Sequence, residues 1–590
     1  VKRAALLGAV KRPVLLGATL LALGLPSSAA PFVFPNAWSV SPTGAGEARG
    51  TLRDGSVTEP RTFNPLLDTG VPQSGGLVGA RGLFVVDPVT SDVLPYMAQS
   101  YVLSENKLRW TVRLRPGMRW SDGQAITSQD WVLSARLHSD RALSTNQRDR
   151  FLVEGRPVQV SAEGDDTVVF TFPKVVANAI DTLSVPPLPA HVFARAFETG
   201  GAAGVRALWG TGERPANIVT AGAFKLANFE PGVRAVYVRN PYFAEWNASA
   251  DGETLPHLER VEQRFFQSRA GLVDEFLNGR LDVFATTNPL EVERVKAAFD
   301  AGSLRGTLRL NAVSSGSTTW LTFNWNKASD PFKQALFRNP SFRQAISHLI
   351  DRDRIVTEVY GGLAKAQYGA LTDAFGEWVA EDAPAFKFDP VQAGTLLAQL
   401  GFRNRNADGV LLNRDNRALE FEVFIANASP EAARVMEIIQ ADALRAGVSV
   451  RVTPLPQSTL VGALTASGDD RPWDAVYSTA AFNTPSTFPL NGAYYACTGR
   501  LHFFNTSGTC LDPLETQGMQ LYERARQTLD LTQRKQIVKE AQSVTARLQA
   551  VIHVTAPTAH HAWLERVRGE LTQNAGTDVT RWLELTWLGR

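Results

Sequence analysis

The sequence predicts an α/β protein of two or three domains, and three observations carry that reading. The chain has 590 residues, more than a single hydrophobic core organises. Its second half holds a strand–helix–strand unit. Leu419 to Ile425 reads as a strand, Glu431 to Ala446 as a helix ended by Gly447, and Val448 to Val452 as the next strand. That order builds parallel pairs. Its first half holds Leu108, Trp110, Val112 and Leu114 in strict alternation, the period of a half-buried strand. Hydrophobic residues at 44% and charged residues at 20% exclude a coiled coil, a collagen-like chain and wholesale disorder.

From the start, residues 1–29 read as a secretory leader. Lys2, Arg3, Lys11 and Arg12 form its basic region, Val14 to Leu25 its apolar run, and Ser27, Ser28 and Ala29 its cleavage site. Cleavage is expected after Ala29, because Pro31 disfavours the next bond. The apolar run falls short of the roughly 20 residues a membrane span needs. No cysteine lies near the site, so no lipid anchor is expected there. The net charge is only +2 and owes its sign to the leader. It gives no reason to expect a nucleic-acid partner. Residues 30–50, rich in Pro, Gly, Ala and Ser, read as a flexible segment.

The elements then follow in order. Gly82 to Val86 and Leu108 to Leu114 read as strands. Ser121-Asp122-Gly123 is a turn in which Asp122 bonds its own backbone. Thr127 is the N-cap candidate of a helix, with Asp130 completing a weaker capping box. Thr167 to Phe172 is a strand, and a helix begins near His191 after Pro186 to Pro189. Trp320 to Asn324 is a strand. A helix follows from Ser341, with Phe342, Ala345, Ile346, Leu349 and Ile350 on one face. Gln520 to Leu548 is largely helical, and Ala550 to Thr555 is a strand.

The cysteines are Cys497 and Cys510. Export places them in an oxidising compartment, where a bridge between them stabilises by about 3 kcal/mol in the chain-entropy model. Two unpaired core thiols are the alternative. A metal site is disfavoured, since only His502 lies between them.

Chemistry-bearing motifs are absent. There is no HExxH, GxSxG, Walker A or paired CxxC. His560 and His561 are adjacent, and adjacent strand side chains point to opposite faces. No catalytic residue, metal or cofactor is expected. Trp110, Trp120 and Trp131 read as core.

Five stretches carry a resemblance: Thr62–Leu66, Leu94–Tyr101, Trp110–Gly123 continuing to Asp130, Phe323-Asn324 with Pro331-Phe332 and Phe342–Ile346 with Ile350–Arg352, and Leu396–Phe402 continuing to Trp473–Ala475. Their order resembles the extracellular solute-binding proteins of family 5, the periplasmic receptors of oligopeptide, dipeptide and nickel ABC importers. The resemblance implies a two-lobed type II periplasmic-binding-protein fold with an inserted subdomain and mixed sheets flanked by helices. It places lobe I in residues 51–79, 181–316 and 556–590, the inserted subdomain in 80–180 and lobe II in 317–555. The expected function is a soluble periplasmic or secreted monomer. It captures a small-molecule or peptide ligand between lobes and delivers it to an inner-membrane ABC permease. A sensor or chaperone on the same fold is the alternative, and a secreted enzyme a weaker one.

The resemblance also points to ligand-side positions: Phe63 and Asn64 in the first motif, Trp320, Trp325 and Tyr494 near the crossovers, and Ala481, Phe482 and Asn483. Peptide-binding members resemble one another in an Asp that pairs with the peptide's α-amino group. Aligned on Asn483 and Pro485, Ala481 falls at that position, and residues 475–511 contain no Asp or Glu. Asp68 or Glu59 are the possible substitutes. The expected ligand therefore lacks a conventionally anchored amino terminus, with ordinary peptides second.

Overall fold

The computed structural model describes residues 32–33, 50–67, 81–86, 93–143, 145, 147–248, 252–310, 314, 316–427, 429–480, 488–499, 501–568 and 583–589. The leader and most of the segment that follows it lie outside these residues.

Among the described residues, the first half contributes strands to three sheets of three or more strands. Strands β1 (Thr51–Ser56), β2 (Ala98–Leu103), β3 (Arg109–Leu114), β4 (Gln159–Ala162), β5 (Thr167–Thr171), β6 (Phe224–Glu230), β7 (Arg234–Arg239), β8 (Arg260–Phe265), β9 (Val283–Thr286) and β10 (Gly306–Arg309) supply them. One sheet runs β6-β7-β8-β1, with β8 and β1 parallel. A second, antiparallel throughout, runs β2-β3-β5-β4. It is covered by α1 (Ser128–Ser139), whose capping box is formed as the sequence predicts. Asp130 Oδ2 accepts the Thr127 N–H at 2.7 Å, and its Oδ1 accepts the Ala190 N–H at 2.7 Å. Burial pushes the Asp130 carboxyl up to about 6 against those bonds. Asp122 makes the expected turn bond to the Gln124 N–H at 3.1 Å and also meets His191 at 2.7 Å. The apolar residues of both sheets form one continuous core that includes Leu52, Val112, Trp131, Phe170, Phe224 and Val261.

The second half is organised by one six-stranded mixed sheet. Its strands are β11 (Thr318–Phe323), β12 (Ala364–Ala366), β13 (Glu420–Ala426), β14 (Ser449–Leu455), β15 (Ala475–Ala480) and β16 (Val551–Pro557), in the order β12-β16-β11-β15-β13-β14. As the strand–helix–strand pattern requires, β13 and β14 are parallel, joined by α2 (Pro430–Ala446). Gly447 ends that helix at φ 92°, a left-handed position that favours glycine. The region read as largely helical holds two helices, α3 (Pro513–Gln527) and α4 (Leu531–Leu548). The break falls where Asp530 turns to cap the second helix, accepting the Gln533 N–H at 2.7 Å. A separate core holds this half together, from Trp320 to Val554.

Several helices start on one local device: a capping side chain followed by Pro at the first turn. Asn288-Pro289, Asp330-Pro331, Asn339-Pro340, Asp389-Pro390, Ser429-Pro430 and Asp512-Pro513 all use it. The cap satisfies an orphan N–H, and Pro sits where its missing N–H costs nothing. This is why the helix read from Ser341 begins one residue earlier, at Pro340.

Two connections join the halves. The chain leaves the three-stranded sheet β9-β17-β10, where β17 is His560–Leu564, and enters β11 through 310–317; it returns from β16 to β17 through 558–559. A small core of Leu272, Val273, Phe276, Leu281, Phe284, Val295, Ala562 and Leu564 packs at that sheet.

Candidate functional site

In the six-stranded sheet, β13, β14, β15 and β16 run in one direction and end together at Ala426, Leu455, Ala480 and Pro557. The antiparallel β11 starts on the same edge, Thr318 pairing with Ala480. Ligands of open α/β sheets sit in the crevice outside such carboxyl ends. The helix α2 opens at this edge, and its Glu431 lies in the first turn, where the helix dipole favours a carboxylate. Asn288, the cap of the helix Pro289–Asp300, donates from Nδ2 to Glu431 Oε1 at 2.5 Å. Two helix N-termini from opposite sides of the crossovers therefore meet at one carboxylate.

Beneath this edge lies a layer of hydroxyls. Thr319 Oγ1 and Thr555 Oγ1 are 2.8 Å apart, and Thr319 Oγ1 also accepts the Thr555 N–H at 3.0 Å. Thr318 Oγ1 meets His553 Nδ1 at 2.8 Å. Burial lowers the His553 pKa to about 3, so its imidazole is neutral and a poor base. Burial also raises the pKa of Tyr360 and Tyr477, so both stay protonated and polar without charge. These hydroxyls are buried and bonded to one another and to His553, so they tie the crossover strands together.

The structure gives each described position read as ligand-side a protein partner. Phe63 packs edge-on against Phe229 at 5.2 Å. Asn64 is fully buried, its Nδ2 donating to the Val205 and Leu208 carbonyls and its Oδ1 accepting the Leu66 N–H. Trp320 stacks on Phe503 at 4.9 Å, and Trp325 lies under the Arg343 guanidinium at 4.4 Å and against Phe504. Tyr494 packs edge-on against Tyr495 at 5.0 Å. Trp320, Trp325 and Tyr494 come together through the 497–510 loop; Phe63 and Asn64 lie in the other core. The β11 strand is buried on both faces, so even its alternate aromatic packs inward. Ala481, Phe482 and Asn483 lie outside the described residues, as does Asp68. Glu59 is engaged, accepting the Gly232 N–H at 2.6 Å.

Cys497 and Cys510 are joined, with Cα atoms 5.3 Å apart. Inside that loop His502 Nδ1 faces the Tyr494 carbonyl at 2.7 Å and Nε2 faces Glu515 Oε1 at 2.5 Å. Both ring nitrogens thus meet acceptors. Burial would raise the Glu515 pKa. Bonds from His502, Asn505 and the Leu511 N–H outweigh it and hold the carboxyl below the usual range. Cys497, His502 and Glu515 lie close enough to hold a metal ion, but the sulfur is committed to Cys510 and the other two to each other. His560 bonds Thr558 Oγ1 at 3.0 Å.

Sequence reasoning missed Asn288, Glu431 and Glu515. The cap–Pro signatures before the first two were the available signal for two helix N-termini; their meeting, 143 residues apart in sequence, had none.

A family model described as "Bacterial extracellular solute-binding proteins, family 5 Middle" matches residues 92–501. A Deinococcus radiodurans protein named "Probable ABC transporter-binding protein" is 33% identical over 588 residues, spanning 97% of this chain and 99% of that protein. Among solved structures, the oligopeptide-binding protein AppA of Bacillus subtilis with a nonapeptide superposes with a TM-score of 0.74. The identity is 19%, with 92% of this chain and 99% of that one covered. The periplasmic binding protein MelB of Agrobacterium fabrum with stachyose gives 0.73 at 19% identity, covering 92% and 85%. At these identities the two structures speak to the fold, which is that of the type II periplasmic binding proteins.

Proposed function

The chain belongs to the bacterial extracellular solute-binding proteins of family 5, and from that premise we propose that it serves an ABC importer as a monomer. It captures an organic ligand whose amino terminus is blocked or absent and hands it to an inner-membrane permease. The observation that carries the ligand class is the stretch 475–511, which holds no Asp or Glu. Burying an ammonium without a partner carboxylate costs several kcal/mol. Modified or cyclic peptides and saccharides fit that chemistry.

The division into lobe I (51–79, 181–316, 556–590), an inserted subdomain (80–180) and lobe II (317–555) is part of the proposal. The two crossovers, 310–317 and 558–559, and the two main cores support it. The ligand segment is taken as 481–483 with the adjoining sheet edge. Among the described residues no helix is long and apolar enough to cross a membrane. The leader is proposed to be cleaved after Ala29 and the mature protein to act without turnover.

A second reading, ordinary peptides, is favoured by the likeness to AppA, solved with a nonapeptide. Mass spectrometry of small molecules released from protein purified without refolding decides between them. The proposal expects a released species that amine-reactive label does not modify. An unmodified linear peptide overturns it.

A further inference from the structure

The helix α3 belongs to the 317–555 body, yet its C-terminal end is gripped by residues of 148–181. The Ala177 N–H donates to the Arg526 carbonyl at 2.5 Å. That carbonyl is one of the last in the helix and has no intrahelical partner. The Arg526 guanidinium, itself buried, donates to the Leu152 carbonyl at 2.6 Å and to Asn178 Oδ1 at 3.4 Å. Next to it Gln527 Nε2 donates to Glu154 Oε1 at 3.1 Å, an oxygen that Lys174 holds from its own side at 2.6 Å. None of these residues belongs to the crossovers, and they lie 348 to 374 residues apart in sequence.

We propose that this junction is a clasp between the inserted subdomain and lobe II, which holds the two bodies together without ligand and releases when the cleft opens. The inference rests on the two-lobed division above. The chemistry suits a reversible contact. Every bond described is polar, and water replaces each one on opening, so each shifts the closed–open balance only roughly fivefold. An apolar seam of the same extent would resist opening, whereas polar contacts between domains of one chain permit motion. Arg526 carries the largest share because its side chain and its carbonyl both cross the junction.

The test uses ligand-free protein with spin labels at Glu105→Cys and Ser458→Cys, both exposed and in different bodies. The native cysteines are joined and do not label. Pulsed electron resonance reads the distance between labels, and hydrogen exchange reads segments 174–181 and 522–530. Two variants are compared with the parent, Arg526→Ala and, should that one fail to fold, the pair Asn178→Ala/Gln527→Ala. The clasp predicts faster exchange in both segments and a long-distance population raised roughly fivefold or more. Unchanged distances with unchanged exchange overturn the clasp and leave the two-lobed division standing. Faster exchange with unchanged distances overturns both, because the contact then breaks without the bodies separating.

Discussion

His502 Nε2, inside the loop that Cys497 and Cys510 close, lies 2.5 Å from Glu515 Oε1 in the first turn of α3, and both side chains are almost wholly buried. Removing one partner leaves the other charged group, or an unsatisfied polar one, without water. His502→Ala is therefore expected to destabilise the protein by about 3–5 kcal/mol, read as a shift in urea midpoint. An unchanged urea midpoint in His502→Ala would contradict this.

The disulfide makes its own prediction. Thiol titration under denaturing, non-reducing conditions should count no free thiol. Cys497→Ser should lower stability by about 3 kcal/mol. The loop carries Phe503 onto Trp320 and Phe504 onto Trp325, so loss of the bond should also change tryptophan fluorescence. Two titratable thiols would refute the pairing.

Arg343 is buried, and no carboxylate among the described residues is in contact with it. Its guanidinium donates to the carbonyls of Phe337, Leu548 and Gln549, where helices end and the dipole favours a cation. Burial lowers its pKa to about 9, so it remains charged at neutral pH. Arg343→Met strands those carbonyls and is expected to cost about 3–5 kcal/mol. Arg343→Lys should not restore it, because a point charge cannot span the fork. Full rescue by lysine would show that charge alone matters there.

For His553 the pH dependence has a definite sign. The unfolded imidazole gains a proton near pH 6.5, whereas the folded one, with its pKa lowered by burial, stays neutral to about 3. The unfolded state thus binds more protons in that window, and stability falls by up to about 1.4 kcal/mol for each unit the pH drops below 6.5. Asp130 and Asp181, raised to about 6, act in the opposite direction in part of the same window. Comparison with His553→Gln removes their contribution. Urea midpoints at pH 7, 5.5 and 4.5 should diverge between parent and variant, and parallel profiles would contradict the assignment.

What was legible in the sequence was local. The capping box of Thr127 and Asp130, the Asp122 turn and the parallel unit ended by Gly447 each depend on neighbours within a few residues, and each formed. The motifs behind the family resemblance were legible for a related reason. Asn64, Asn324, Arg343, Arg352 and Asp474 are spent on the protein's own backbone and charges. They specify the fold and leave the ligand unspecified. The aromatic residues read as cleft walls were harder. Trp320 and Trp325 occupy or follow a strand buried on both faces, and residue type alone does not tell a cleft aromatic from a core one. The Arg526 and Asn288 junctions join residues far apart in sequence, which periodicity does not reveal.

The central claim is that the ligand is held without an α-amino anchor, and calorimetry with matched peptides tests it most directly. Di- to pentapeptides are titrated alongside their N-acetylated counterparts, with stachyose as the saccharide arm. The account predicts that acetylation leaves any measured affinity within roughly threefold, a change under 1 kcal/mol, or that the saccharide binds and free peptides do not. Micromolar binding of free peptides that acetylation abolishes would contradict it and place an anchoring carboxylate in the cleft.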